Sequence, residues 1–436
     1  MTAAPPPPST PFPFLLDPAH PVAEATILSL TATSQKRYLS RSPIPARMHL
    51  TLVSPYDPFP DPRQDGGAHM GGVERVFAEV SKRLAARGHE IEVVCSSEDP
   101  RPSPAPHERI HVTRVRRQAT VMRTPVAALA ERVPADTDVV QVAATYPFTT
   151  PTVLRRARKA GIPGILDFHF EPDPVSLVGR IAARLYRMVG PAAYPLAEAV
   201  LVRSLAYGRN APSLDRVPEA QWRVVPNGVD TDRFRPEGPR TGDGNLLFVG
   251  RLVPYKGLGG LVHALARVPD APPLWVAGDG PLRPELERLA ARLGVDARFL
   301  GRVPDEDLPA LYRGATMTVL PSVGRQECFG ITLLESMACG TPVLASAIPG
   351  VEQVARFGGQ VAPPGQPAAL AAAIRRSMQD PMPRGRALAG RVRAAYGWDA
   401  VADRLLEVYG EVTEARKQRT PTREVTHADP RRDPVL

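Results

Sequence analysis

Residues 317–346, MTVLPSVGRQECFGITLLESMACGTPVLAS, read as one strand–helix–strand unit. The apolar run Met317–Pro321 predicts a strand. A polar loop follows, a helix is predicted over 330–339, and Pro342–Ser346 is the next strand. Two strands joined through a helix run parallel, and repeating the unit builds a sheet with helices on both faces.

The same alternation extends upstream. Strands are predicted at Leu246–Gly250, Leu274–Ala277 and Ala297–Leu300, with helices near 256–267, 282–293 and 305–313. One more helix is predicted at 368–378. The run Arg235–Asn245 (RPEGPRTGDGN) breaks the pattern and reads as a linker. Before it lies a second series of strands: His49–Ser54, Glu90–Ser96, Ile110–Val115, Asp138–Ala144, Gly164–His169, Ala199–Arg203 and Trp222–Pro226. Val73, Val76, Phe77, Val80 and Leu84 share one face of a helix that Gly88 ends.

The fold class is therefore α/β, with two doubly wound domains in tandem. The expected division is a Pro-rich, disordered extension at 1–47, a first domain at 48–235, a linker at 236–245, a second domain at 246–398, a helix at 399–415 and a disordered tail at 416–436. Met48 opens the first convincing strand and is the expected natural start. Open α/β sheets bind ligands outside the carboxyl ends of their strands, so two of them define a cleft for a small molecule.

Composition narrows the function. The 436 residues hold 54 Lys and Arg against 45 Asp and Glu, a formal charge of +9. The excess is spread along the chain, which argues against a nucleic-acid-binding domain. No run of about 20 apolar residues suits a transmembrane helix. Cys95, Cys328 and Cys339 are too few and too scattered for a disulfide framework or a zinc site, and they fit a reducing compartment. One stretch, Leu177–Tyr194, carries Arg180, Arg184 and Arg187 on one face among apolar residues and no acid. It reads either as a helix lying on an anionic membrane or as the basic surface face of an ordinary helix of the doubly wound domain.

Four segments carry chemistry. Gly71-Gly72-Val73-Glu74-Arg75 follows the first strand and opens a helix, where paired glycines admit a ligand to free backbone N–H groups. Arg251 and Lys256 follow the first strand of the second domain, and two cations there suit a diphosphate. In Glu327–Gly340, the amides of Gly330, Ile331 and Thr332 are free donors at the positive end of a helix. Glu327 precedes that helix, and Glu335 lies about one and a half turns into it, where a carboxylate can accept two hydrogen bonds from a ribose diol. His169 ends a strand and is expected to face the cleft. Two Asp-x-Asp triplets, Asp230–Asp232 and Asp305–Asp307, are read as a turn and as a helix N-cap at Asp305, so no metal site is assigned.

Taken together, these segments resemble the retaining, GT-B-fold glycosyltransferases of family 4. The likeness runs from about Met48 to Ala415 and includes Val225–Phe234, Ala277–Pro281, Phe299–Pro304 and Trp398–Tyr409. The resemblance implies a metal-independent, cofactor-free hexosyl transfer from a UDP- or GDP-linked nucleotide-sugar donor to a lipid-linked or glycan acceptor. It also implies a cytoplasmic enzyme, peripheral on the inner membrane face, in glycolipid or cell-envelope glycan synthesis. Arg251, Lys256, Gly72 and residues 330–332 would bind the diphosphate, Glu335 the ribose and the Val303 backbone the base. Glu327 and His169 would be catalytic, beside the transferred sugar, and the final helix would cross back to the first domain. Sugar-nucleotide epimerases share the fold and are the alternative.

Overall fold

The first strand, β1 (His49–Tyr56), is buried at every position except its two ends. A strand buried on both faces needs cover on both, which is the signature of a parallel sheet between helices. The chain is described by a computed structural model over residues 47–60, 72–101, 105–121, 124–144, 149–169, 171, 184, 190–380 and 382–419. The extension 1–46, Gly71, most of the 177–194 stretch including Arg180 and Arg187, and the tail 420–436 lie outside the described residues. No helix among the described residues is long and apolar enough to cross a membrane.

After β1 come α1 (Gly72–Ala86), β2 (Glu90–Ser97), β3 (Ile110–Arg116) and a short antiparallel pair, β4 (Ala119–Val121) and β5 (Thr124–Val126). Then follow β6 (Val139–Ala143), α2 (Thr150–Lys159), β7 (Gly164–Asp167), β8 (Ala199–Val202), α3 (Leu205–Arg209) and β9 (Trp222–Val224). The main sheet has the order β3-β2-β1-β6-β7-β8-β9, all neighbours parallel.

The second series is β10 (Leu246–Val249), α4 (Leu258–Leu265), β11 (Leu274–Ala277), α5 (Arg283–Arg292), β12 (Ala297–Gly301), α6 (Leu308–Gly314), β13 (Met317–Leu320), α7 (Ile331–Ala338), β14 (Val343–Ser346), α8 (Val351–Arg356), β15 (Gly359–Ala362), α9 (Pro367–Gln379) and α10 (Gly385–Tyr396). Its sheet runs β12-β11-β10-β13-β14-β15, again parallel. The strand order reverses between β1 and β6 in one sheet and between β10 and β13 in the other. Each reversal opens a crevice at the carboxyl ends of its strands.

The edge strand β15 was not expected. Only Ala362 of its four residues is fully buried, so it has no apolar run to betray it. The last helix, α11 (Trp398–Arg419), continues past the expected end at Ala415. Arg416, Lys417 and Arg419 fill its last turn, where cations complement the free carbonyls, and Arg416 also pairs with Glu198 at 3.5 Å. Residues 416–419 are therefore helix and not part of a disordered tail.

Helix α11 begins beside α10 and packs its Val401, Leu405, Leu406, Val408, Tyr409 and Val412 into the core of the first sheet, against Val73, Val76 and Phe77 of α1. Its first residue, Trp398, lies over Gly228 in the turn that follows β9, and Val229 N–H donates to the Tyr396 carbonyl at 2.8 Å. A Cβ on Gly228 would run into the Trp398 ring. We therefore expect Gly228→Ala to cost about 1–3 kcal/mol, as overpacking does, and to lower the thermal midpoint. Gly390→Ala, in α10 with open space around it, should not lower it. Scanning calorimetry of the two variants against the parent chain makes the comparison.

Candidate functional site

Strand order brings two separate loops together. Lys256 stands in the loop after β10 and Glu327 in the loop after β13, and β10 and β13 are neighbours at the reversal point. Gly257, with φ of 69°, turns the first loop so closely against the second that a Cβ would collide with the Pro321 carbonyl oxygen. As a result Lys256 Nζ bonds Glu327 Oε2, with the two side chains only 12% and 11% exposed. Ser322 Oγ donates to the same carboxylate oxygen at 3.2 Å. Burial works against the Lys256 ammonium, but Glu327 outweighs it and holds the pKa above the usual lysine value.

The helix that follows, α7, starts from Gly330, whose φ of 77° suits glycine. No side chain caps it. Ile331 and Thr332 are half-buried at its first turn, beside the ion pair in sequence. Glu335, on the next turn, is 6% exposed and accepts the Tyr312 hydroxyl at 2.7 Å through Oε2. Burial raises its pKa, against the pull of Tyr312 and of the nearby Arg75 and Arg233 guanidinium groups. Arg251 is exposed in the turn after β10, and Val303 is half-buried in the loop after β12.

From the first sheet, Gly72 is exposed at the start of α1. Three residues on, Arg75 Nη2 meets Asp305 Oδ2 at 3.0 Å, and Arg233 approaches the same oxygen at 3.6 Å. This corrects one expectation: Asp305 is not a helix cap. The cap position of α6 is Asp307, which makes no side-chain capping bond, while Asp305 is drawn to two guanidinium groups. Asp230 Oδ1 accepts the N–H groups of Asp232 and Arg233 and so belongs to a turn.

His169, two residues past β7, is more enclosed than expected, with its ring 5% exposed. Nε2 lies 3.0 Å from Asp167 Oδ2, Arg203 Nη2 lies 3.3 Å from each ring nitrogen, and the ring packs on Phe77 at 5.9 Å between centroids. The two charged neighbours draw the ring inward. Burial lowers the histidine pKa despite Asp167, so the ring is neutral near pH 7. Burial also opposes ionisation of Asp167, yet Arg203 and His169 hold its carboxyl below the usual aspartate range.

The site thus joins Lys256, Glu327, the start of α7 and Glu335, with Arg75 arriving from the other sheet. His169 forms a separate cluster with Asp167 and Arg203. Sequence reasoning missed Tyr312, Ser322 and Arg203, which sit in runs that read only as core or loop. It quoted Arg75 without giving it a role.

Comparisons with known proteins agree with this layout. Residues 230–393 match the family described as Glycosyl transferases group 1, and residues 70–233 match Glycosyltransferase Family 4. The D-inositol 3-phosphate glycosyltransferase of Thermomonospora curvata is 32% identical over 410 residues, covering 79% of this chain and 92% of that protein. The D-rhamnosyltransferase WbpZ of Pseudomonas aeruginosa is 31% identical, covering 70% and 82%. Among solved structures, sucrose-phosphate synthase from Thermosynechococcus elongatus superposes with a TM-score of 0.65 at 24% identity, covering 85% of this chain and all of that one. Anabaena HepE in complex with UDP superposes with a TM-score of 0.57 at 18% identity, covering 85% and 98%. The folds agree: α/β, two Rossmann-like domains, GT-B.

The raised pKa of Glu335 has a consequence for stability. The folded chain holds this proton to higher pH than the unfolded chain does, so ionising Glu335 destabilises the fold once pH exceeds the raised value. Below the ordinary value of 4.5 the penalty is gone. Glu335→Gln keeps an oxygen for Tyr312 and removes the charge. It should raise the thermal midpoint at about pH 7.5, with the gain shrinking as pH falls toward 4.5. Melting curves across that range check the sign.

Proposed function

We propose, since the chain belongs to the group 1 glycosyltransferases, that it moves a hexosyl unit with retention from a UDP- or GDP-sugar to a hydroxyl acceptor. The acceptor is lipid-linked or glycan-like, the setting is glycolipid or envelope glycan synthesis, and the enzyme works in the cytoplasm, on the inner face of an anionic membrane. The observation that carries this reading is the buried Lys256–Glu327 pair beside the uncapped start of α7. A diphosphate entering there exchanges with Glu327 for Lys256, meets the free N–H groups of Gly330, Ile331 and Thr332, and takes Arg251 and the Gly72 amide as further partners. Glu327, released from the lysine, turns to the sugar hydroxyls. Glu335 holds Tyr312 with one oxygen and has the other for the ribose. The Val303 backbone meets the base, and His169 lies beside the sugar.

The chemistry follows from the charge that develops. The acceptor oxygen forms its bond to the anomeric carbon from the face the diphosphate leaves, and the bond from that carbon to phosphate oxygen breaks. The acceptor proton passes to the departing diphosphate. Lys256, Arg251 and the helix start stabilise that anion without a metal. Supporting this, the relatives named above are glycosyltransferases and HepE binds UDP.

A thermal-shift panel of UDP- and GDP-sugars tests the donor, since a ligand at 100 times its Kd stabilises by about 2.7 kcal/mol. D-inositol 3-phosphate, suggested by the relative's name, is a first acceptor to try. Activity should survive EDTA, and loss restored by Mn²⁺ would overturn the charge account. Lys256→Ala should lose about a hundredfold or more in kcat/KM and also lower the thermal midpoint, because Glu327 is left buried without its partner. Fast donor turnover with no acceptor present, yielding an epimerised sugar, would place the chain with the epimerases instead.

A further inference from the structure

Gln141 on β6, Asp167 at the end of β7 and Arg203 just past β8 stand side by side because these strands are consecutive neighbours. Tyr409 reaches them from α11. All four are buried, as is His169. The bonds form one chain. The Tyr409 hydroxyl donates to Gln141 Oε1, and the Gln141 amide donates to Asp167 Oδ2 at 2.8 Å. The same carboxylate oxygen faces His169 Nε2 at 3.0 Å. Arg203 donates to Asp167 Oδ1 and, at 3.0 Å, to the Val225 carbonyl.

A neutral imidazole has one donor and one acceptor. A carboxylate only accepts, so Nε2 carries the proton and donates it to Asp167. Arg203 Nη2, 3.3 Å from both ring nitrogens, stands against the ring and holds it from a second side. The Nε2 proton is therefore held within the protein by Asp167. Buried ion pairs are poor stabilisers compared with apolar side chains of the same volume. Such a cluster is weak evidence for a purely stabilising role.

We propose that Asp167, held by Gln141 and Arg203 and linked to Tyr409, is the positioning residue for His169, fixing one tautomer and one ring orientation and tying both to the seating of α11. The inference rests on the reading that His169 lies beside the transferred sugar. It makes the histidine a fixed neutral contact, and the crossover helix part of the active-site support.

A double-mutant cycle separates this role from a merely structural one. Tyr409→Phe, His169→Gln and the double variant are compared by release of nucleoside diphosphate from a panel of UDP- and GDP-hexoses with D-inositol 3-phosphate or a glycan present as acceptor, with melting curves in parallel. Tyr409→Phe should lower kcat about three- to tenfold with KM nearly unchanged. On the His169→Gln background it should lower kcat no further. Full additivity, or unchanged kcat in Tyr409→Phe, would overturn the relay while leaving the reading of His169 intact. Unchanged kcat in His169→Gln would overturn that reading, and the relay with it. No release from any donor–acceptor pair of the panel by the folded parent chain would overturn the proposed function itself. Asp167→Asn should behave as His169→Gln does, and should it fail to fold, the Tyr409–His169 cycle still decides.

Discussion

The ion pair between Lys256 and Glu327 is the constraint on which the rest of the site depends. Removing two charges from water costs on the order of several kcal/mol per ion unless each finds a partner. Here the partner is supplied by topology. The reversal of strand order between β10 and β13 presses their following loops together, and Gly257 lets them touch. Ser322 takes up a further lone pair of the carboxylate. The Glu327 carboxylate stands beside the lysine as its counter-charge. Under the proposed function, a phosphate that binds there would replace one counter-charge with another, leaving the lysine paired and Glu327 available to a neighbouring sugar.

Around this pair, the second sheet supplies most of the groups and the first sheet completes them. Arg75 crosses to Asp305 at 3.0 Å, close enough to Glu335 to lower its pKa. The Tyr207 hydroxyl accepts the Glu171 N–H at 2.8 Å and reaches the Arg325 carbonyl, in the loop that carries Glu327, at 3.4 Å. Helix α11 closes the arrangement by starting against α10 and ending in the core of the first sheet. Each of these contacts joins residues far apart in sequence, so the site exists only when both sheets are folded and seated.

How much of this was legible in the sequence depended on whether a feature is local. Apolar runs such as Leu274–Ala277 mark strands because a parallel strand is buried on both faces, and that strand was read to its exact ends. Lys256, Glu327, Gly330 and Glu335 stood out because a strand end followed by a helix start is a local pattern. The order of strands in a sheet is not local, so nothing in the chain announced that Lys256 and Glu327 pair. The same holds for Asp305, which reads as a cap until Arg75 arrives from 230 residues away. Nothing local to His169 announces that Asp167 and Arg203 enclose it. Tyr312 hid in an amphipathic helix, since a buried tyrosine and a buried leucine give the same periodicity.

The account's central claim is that a donor diphosphate takes Lys256 from Glu327. Calorimetric titration of UDP and GDP into the parent chain and into Glu327→Gln tests it most directly. The variant lysine has no carboxylate to leave, so the diphosphate that binds the parent should bind the variant at least as tightly. Binding weakened about tenfold or more in the folded variant would mean that Glu327 helps to hold the diphosphate, and would contradict the exchange.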